Sequence, residues 1–318
     1  MNITRRDLLR TTFGSAVLLP FAPTSAAALF SITPQQVADA LAARRAEMGK
    51  VPITATSLSD TLTMLAGPGG NVVVLSGPDG RLIVDTFVQP AWPALKEHLD
   101  KSGTQPVKLL IDSHWHFDHT DNNESLHKAG AAILAHANTK KRMSETHDVL
   151  GMHFPVSPAG ALPTQTFTTS HKLQMNKEDI EAGHLPPSHT DTDIYVRFAR
   201  GNVLHMGDVF FNGMYPFFDV STGGNIDGMI AGATVGIKLA DGTTKIVPGH
   251  GPLGDRAALT SYRDMMVTVR DRVEKLKKSG RAVKDVVAAK PIADLDATWA
   301  KGFMPADMFV ELVYNTLK

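Results

Sequence analysis

The residues best equipped for chemistry stand together in Ser113-His114-Trp115-His116-Phe117-Asp118-His119-Thr120, three imidazoles and a carboxylate within six positions, directly after an apolar run. In an extended segment side chains two apart point the same way. His114 and His116 can therefore meet one metal while Asp118 and His119, a step further round the loop, reach a second. A catalytic zinc needs about three nitrogen or oxygen donors and an open position for water. One cluster cannot supply two metals, so the missing ligands must come from other strand ends. The chain offers three: His189 in Pro187-Ser-His-Thr-Asp-Thr-Asp193, Asp208 in Met206-Gly-Asp-Val-Phe, and His250 in Pro248-Gly-His-Gly251. Asp112 and Asp193 stand near these motifs. Each is a candidate to accept an imidazole N–H and fix its tautomer, although capping a loop explains them nearly as well. His136, His184 and His205 lie at or near strand ends and are weaker candidates for the same supporting role.

Composition narrows the chemistry. The chain of 318 residues contains no cysteine, which excludes disulfides, thiolate nucleophiles and Cys-ligated metals, so any metal must be held by His and carboxylate. Lys plus Arg equals Asp plus Glu, 32 against 32, and this balance gives no basic field for nucleic acid or anionic lipid. With 43% hydrophobic and 20% charged residues, the sequence is that of an ordinary globular domain.

The elements that must position the motifs are also legible. Residues 34–48 read as a helix, opened by Thr33 as N-cap and Pro34 at the first helical position. Residues 61–65, 71–75 and 81–86 read as an antiparallel meander, the last two runs joined by the turn 77–80. A helix over 91–99 and a buried strand over 107–112 follow, and that strand ends in the histidine cluster. The order recurs: strands over 195–198 and 203–206 end at Asp208, a helix spans 226–239, and a strand over 245–247 ends at His250. After it, residues 255–278 carry Leu259, Tyr262, Met266, Val269 and Val273 on one helical face, which packs on the sheet or, less economically, on a second copy of the chain. About 68 residues follow His250, mostly in that one long helix. A last helix over 305–317 closes the fold. Two halves of strands followed by helices, with polar residues at strand ends, predict a layered α/β sandwich in a single domain.

The first residues predict export. Arg5 and Arg6 precede an apolar stretch over 13–22 and a run of small residues ending near Ala28. The pair looks like a twin-arginine signal, with residues 1–28 removed, residues 29–318 forming the mature domain and the periplasm as its compartment. Nothing in the mature chain is apolar for long enough to span a membrane.

His-Trp-His-Phe-Asp-His followed in order by the motifs around His189, Asp208 and His250 resembles the motif set of the metallo-β-lactamase superfamily, over about residues 58–255. The resemblance implies a four-layer αβ/βα sandwich and a dinuclear site, usually of two zinc ions, with iron or manganese as alternatives. It implies that His114, His116 and His189 hold the first metal and that Asp118, His119 and His250 hold the second. Asp208 matches the bridging carboxylate of the glyoxalase II and lactonase branches, where many lactamases have cysteine or serine. Two divalent metals lower the pKa of a shared water to about 7. The natural chemistry is then hydrolysis of a small-molecule acyl substrate, a lactam, lactone, ester or thioester, by a bridging hydroxide that Asp118 orients. Tyr215, in the aromatic segment after Asp208, is a candidate donor to the tetrahedral oxyanion. The segment 151–163 is either a flap over the metals or a surface loop. A non-heme iron redox enzyme with the same ligand set is the alternative reading.

Overall fold

Along the run from Asn71 to Gly77, Val73 and Leu75 enter one buried layer and Val72 and Val74 another, so this strand must lie between two apolar layers. The same split recurs at Leu110 against Ile111, at Ile133 against Leu134 and at Val203 against Leu204. Strands buried on both faces force a layered architecture. The computed structural model shows it over the residues it describes, 34–318. The predicted export signal lies outside these residues.

The first part of the chain supplies β1 (Thr54–Ser57), β2 (Leu62–Ala66), β3 (Asn71–Gly77), β4 (Gly80–Val84), β5 (Val107–Ile111) and β6 (Ala132–His136). A small hairpin of β7 (His147–Val149) and β8 (Met152–Phe154) and the strand β9 (Gln165–Phe167) complete it. Seven of these form one sheet in the order β1-β2-β3-β4-β5-β6-β9, antiparallel through β4 and parallel from there. The second sheet contains β10 (Ser170–Met175), β11 (Glu178–His184), β12 (Ile194–Phe198), β13 (Val203–His205) and β14 (Lys245–Val247) in sequence order. Its last pair, β13 and β14, is parallel.

The helices are α1 (Pro34–Met48), α2 (Trp92–Lys101), α3 (Phe117–Thr120), α4 (Asn123–Lys128), α5 (Ala137–Met143), α6 (Ile226–Leu239), α7 (Arg256–Lys278), α8 (Val283–Ala288), α9 (Asp296–Trp299) and α10 (Ala306–Thr316). Val73, Leu75, Ile111 and Leu134 of the first sheet meet Ala182, Val196, Val203 and Val247 of the second in the central layer. Outside the first sheet, Val72, Val74 and Leu110 pack with Leu95 and Leu99 of α2 and Leu126 of α4. Outside the second, Leu204 and Ile246 pack with Met229 and Ala233 of α6 and with α7 and α10. Helices thus cover both outer faces of paired sheets, which is the predicted four-layer αβ/βα sandwich.

One expectation changes. The chain after His250 is four helices, α7 to α10, and not mostly one. The α7 face of Leu259, Tyr262, Met266, Val269 and Val273 is buried within the chain, in one core with Leu204 and Ile246 of the second sheet and with α6 and α10, in line with the more economical expectation. No helix among the described residues is long and apolar enough to cross a membrane.

Candidate metal centre

Every motif histidine or aspartate leaves its sheet at the same edge. His114 and His116 follow β5, with Asp118 and His119 in α3; His189 lies in the β11–β12 connection; Asp208 sits in a 3-10 turn after β13; His250 follows β14. Backbone bonds across the sandwich hold these segments together: Ile194 N–H donates to Ser113 O at 2.9 Å and Asn71 N–H to Gly249 O at 2.7 Å. Where backbone runs against the site, glycine is required by space. A Cβ on Gly249 would lie 1.9 Å from Asp208 Oδ1, and one on Gly70 would lie 2.2 Å from His119 Cε1.

The donor atoms form two groups, His114 with His116, His189 and Asp208, and Asp118 with His119 and His250, each with its atoms within 4.8 Å of one another. His116 Nδ1 and His189 Nε2 are 2.8 Å apart. Asp208 lies between the groups. Its Oδ1 is 3.1 Å from His119 Nε2, while its Oδ2 is 3.2 Å from His250 Nε2, 3.5 Å from His189 Nε2 and 3.9 Å from His114 Nε2. His250 Nε2 is also 3.4 Å from Asp118 Oδ2.

A divalent cation fits this donor set. His114 Nε2, His119 Nε2 and Asp208 Oδ1 are buried with no hydrogen-bond partner, and orphaned buried polar atoms are costly unless something else binds them. Their ring partners on the far side are already fixed. His119 Nδ1–H donates to Asp85 Oδ2 at 2.8 Å, and His114 Nδ1–H to Ser113 Oγ at 3.0 Å, whose hydroxyl donates in turn to Asp85 Oδ2 at 2.7 Å. His189 Nδ1–H donates to Phe217 O at 2.8 Å. His116 Nε2–H faces Asp219 Oδ2 at 3.5 Å, and the hydroxyl of Thr222 donates to the same oxygen at 2.6 Å. These bonds orient each imidazole with its remaining lone pair turned inward.

The electrostatics agree. Burial works against the charge on Asp208, yet the imidazoles of His250, His119, His189 and His114 hold its carboxyl well below the usual range. Asp118 is likewise held down at about 2 against burial, by His119 and His250. Burial drives the His114 and His189 imidazoles down, the latter to about 4. His250 is held up at about 9 against burial by Asp208 and Asp118, and His119 is raised for the same reason. Two carboxylates therefore hold positive charge at the centre.

The structure brings together all seven candidate ligands but not the other three candidate site residues. Tyr215 is fully buried beneath α10, stacked on Phe309 at 5.0 Å, with its hydroxyl donating to Asp296 Oδ1 at 2.9 Å. Burial and Asp296 raise its pKa, and its hydroxyl is engaged in the core and not presented to a substrate. Asp112 bonds Asn123 Nδ2 at 2.9 Å and touches no imidazole; the carboxylate that serves His119 is Asp85. Asp193 caps its loop, accepting from the backbone N–H of His189 at 2.7 Å and Thr190 at 2.9 Å. Burial raises its pKa to about 7. His136 and His184 stack on each other at 3.7 Å away from the centre, and His205 accepts from Gly207 N–H at 3.2 Å.

Asp85 and Asp219 were missed. Asp85 has φ of +65°, a left-handed conformation rare for a non-glycine residue, which three hydrogen bonds from Ser113 and His119 hold in place. Neither residue lies in a metal motif. The segment 151–163 does stand near the ligands: Phe154 of the β7–β8 hairpin packs on Trp115 at 6.0 Å and Phe117 at 5.4 Å.

A family model described as the metallo-beta-lactamase superfamily matches residues 66–264. Comparison with curated proteins gives no match. Among solved structures, a metallo-beta-lactamase from Pontibacter korlensis is similar at TM-score 0.56 and 17% identity, over 67% of this chain and 98% of that one. DIM-1 metallo-beta-lactamase is similar at TM-score 0.55 and 18% identity, over 69% and 99%. The stereoselective inverting sec-alkylsulfatase Pisa1 from Pseudomonas sp. reaches TM-score 0.63 at 16% identity over 86% of this chain, which spans only 51% of it. At these identities the likeness is one of fold.

Proposed function

Since the chain belongs to the metallo-beta-lactamase superfamily, whose members are typically metal-dependent hydrolases, we propose that it hydrolyses an acyl substrate at a dinuclear zinc centre. His114, His116 and His189 would hold one zinc, Asp118, His119 and His250 would hold the other, and Asp208 would serve both. The observation that carries this reading is the position of the Asp208 carboxylate, within 3.9 Å of four imidazole nitrogens drawn from both donor groups. When bound, the metals supply an activated water and a Lewis acid for the acyl oxygen. The chain's own residues do the rest. Asp85, through His119 and through Ser113 to His114, and Asp219, beside His116, keep the imidazoles in their binding tautomers. Asp118 is the more exposed of the two carboxylates, at 12% of its side chain, and would accept and return the proton of the attacking water.

A bridging aspartate supports a lactonase- or thioesterase-like substrate, with β-lactam turnover as an accompanying activity. The Arg5-Arg6 pair ahead of an apolar stretch supports export by the twin-arginine route to the periplasm. The test is a screen of zinc-loaded protein against a homoserine lactone, a thioester, a chromogenic cephalosporin and a phosphodiester. Hydrolysis of at least one acyl compound, lost in Asp208→Ala, is the expected result. Activity on the phosphodiester alone would reject the acyl assignment. Iron instead of zinc in protein from the native host would move the reading to a redox enzyme.

A further inference from the structure

The seven candidate ligands are unequally open. His114, His119, His189 and Asp208 have side chains 0–4% exposed, whereas His116, Asp118 and His250 reach 10%, 12% and 16%. A reactant can approach only from the side of the last three. Aromatic rings frame that side. Phe217 lies 6.2 Å from the His116 ring at an interplanar angle of 27°. Buried Phe211 stacks on His250 at 5.1 Å, and the ring of Phe303 stands beside this pair, tilted by 56° to Phe211 at 6.3 Å and edge-on to His250 at 6.4 Å.

Phe303 is 43% exposed, yet its neighbours are fixed. Met304 is 3% exposed, and a Cβ on Gly302 would lie 2.8 Å from Met214 Sδ. Just before it, Trp299 O accepts from Tyr215 N–H at 2.8 Å, and Asp296 accepts the Tyr215 hydroxyl. The segment carrying Phe303 is thus pinned to the stretch that follows Asp208, and the phenyl ring is held at the mouth. The rings of Phe217, beside His116, and of Phe211 and Phe303, beside His250, give this side apolar faces.

We propose that Phe303 is a specificity-determining wall of the cleft, and that the acyl compounds accepted there carry an aryl or alkyl group beside the scissile carbonyl. The proposal rests on the hydrolase reading above. Phe303 lies beyond the family match at residues 66–264, in the connection between α9 and α10, so this wall is supplied by the C-terminal part of the chain.

The test uses thiols, which bind a metal centre without being turned over. Cobalt-loaded protein is titrated with 2-phenylethanethiol and with 2-mercaptoethanol, following the thiolate-to-cobalt absorption. Phe303→Ala should weaken the phenyl thiol about tenfold, the scale of losing an apolar contact of this size, and leave 2-mercaptoethanol unchanged. Phe303→Leu, still apolar, should retain most of the preference. Equal weakening of both thiols, or none, would overturn the proposal with the metal centre intact. If neither thiol bound the loaded wild-type protein, the centre itself, and the proposal with it, would fall.

Discussion

Asp208 belongs to one donor group and reaches imidazole nitrogens of the other, so its loss should be felt by both. Asp208→Ala should lose most of the second metal and nearly all turnover, read by elemental analysis beside kinetics; full activity with one metal would count against a dinuclear mechanism. Gly249→Ala should be as severe while altering no donor, because its Cβ would occupy space 1.9 Å from Asp208 Oδ1. Asp85→Asn leaves the ligands in place but replaces the acceptor of His119 Nδ1–H with a group that can donate. Metal affinity should fall by about 10- to 100-fold, and an unchanged affinity would remove Asp85 from the account. At this scale the sequence was most informative where spacing alone carries the chemistry, as in the cluster from His114 to His119. It misled where proximity in the chain stood in for proximity in space. Asp112 is one bond from Ser113 yet bonds Asn123, while Asp85, 28 positions upstream, accepts from both the N–H and the hydroxyl of Ser113.

Elements were legible in proportion to their burial. The runs at β3, β4 and β5 are apolar on both faces, and α6 and α7 carry continuous apolar stripes, so each announces itself. Between residues 132 and 184 the sequence yields no bounds for any strand or helix. There β10 alternates intermediate and exposed residues, and β7, β8 and β9 are pieces of three residues each. Tyr215 shows the opposite error. An aromatic residue in a loop beside Asp208 reads as cleft lining, but α9 and α10 fold over it and make it core. Tyr215→Phe should therefore cost about 1 kcal/mol of stability through the lost bond to Asp296, with metal content and kcat little changed. A large fall in kcat at full metal occupancy would return Tyr215 to the reaction.

For the whole molecule, metal binding at this centre should be coupled to folding. The sandwich brings His and Asp residues from both sheets to one edge, where two carboxylates and five imidazoles converge and His114 Nε2, His119 Nε2 and Asp208 Oδ1 are buried without a hydrogen-bond partner. Chelation should lower the melting temperature, since saturating metal at a thousandfold over Kd adds about 4 kcal/mol; an unchanged transition would mean the centre exists without its ions. Protons are coupled as well. In the metal-free protein, Asp208 and Asp118 hold His250 up at about 9, so at pH 7.5 this imidazole carries a proton that a metal must displace. Loading zinc at that pH should release protons, and apparent affinity should fall as the pH is lowered.

Stoichiometry tests the central claim most directly. Calorimetric titration of the metal-free protein with zinc, checked by elemental analysis, should reach two ions per chain, with both sites impaired in Asp208→Ala. A single site in the wild-type protein, or two sites indifferent to Asp208, would contradict a centre built around that carboxylate.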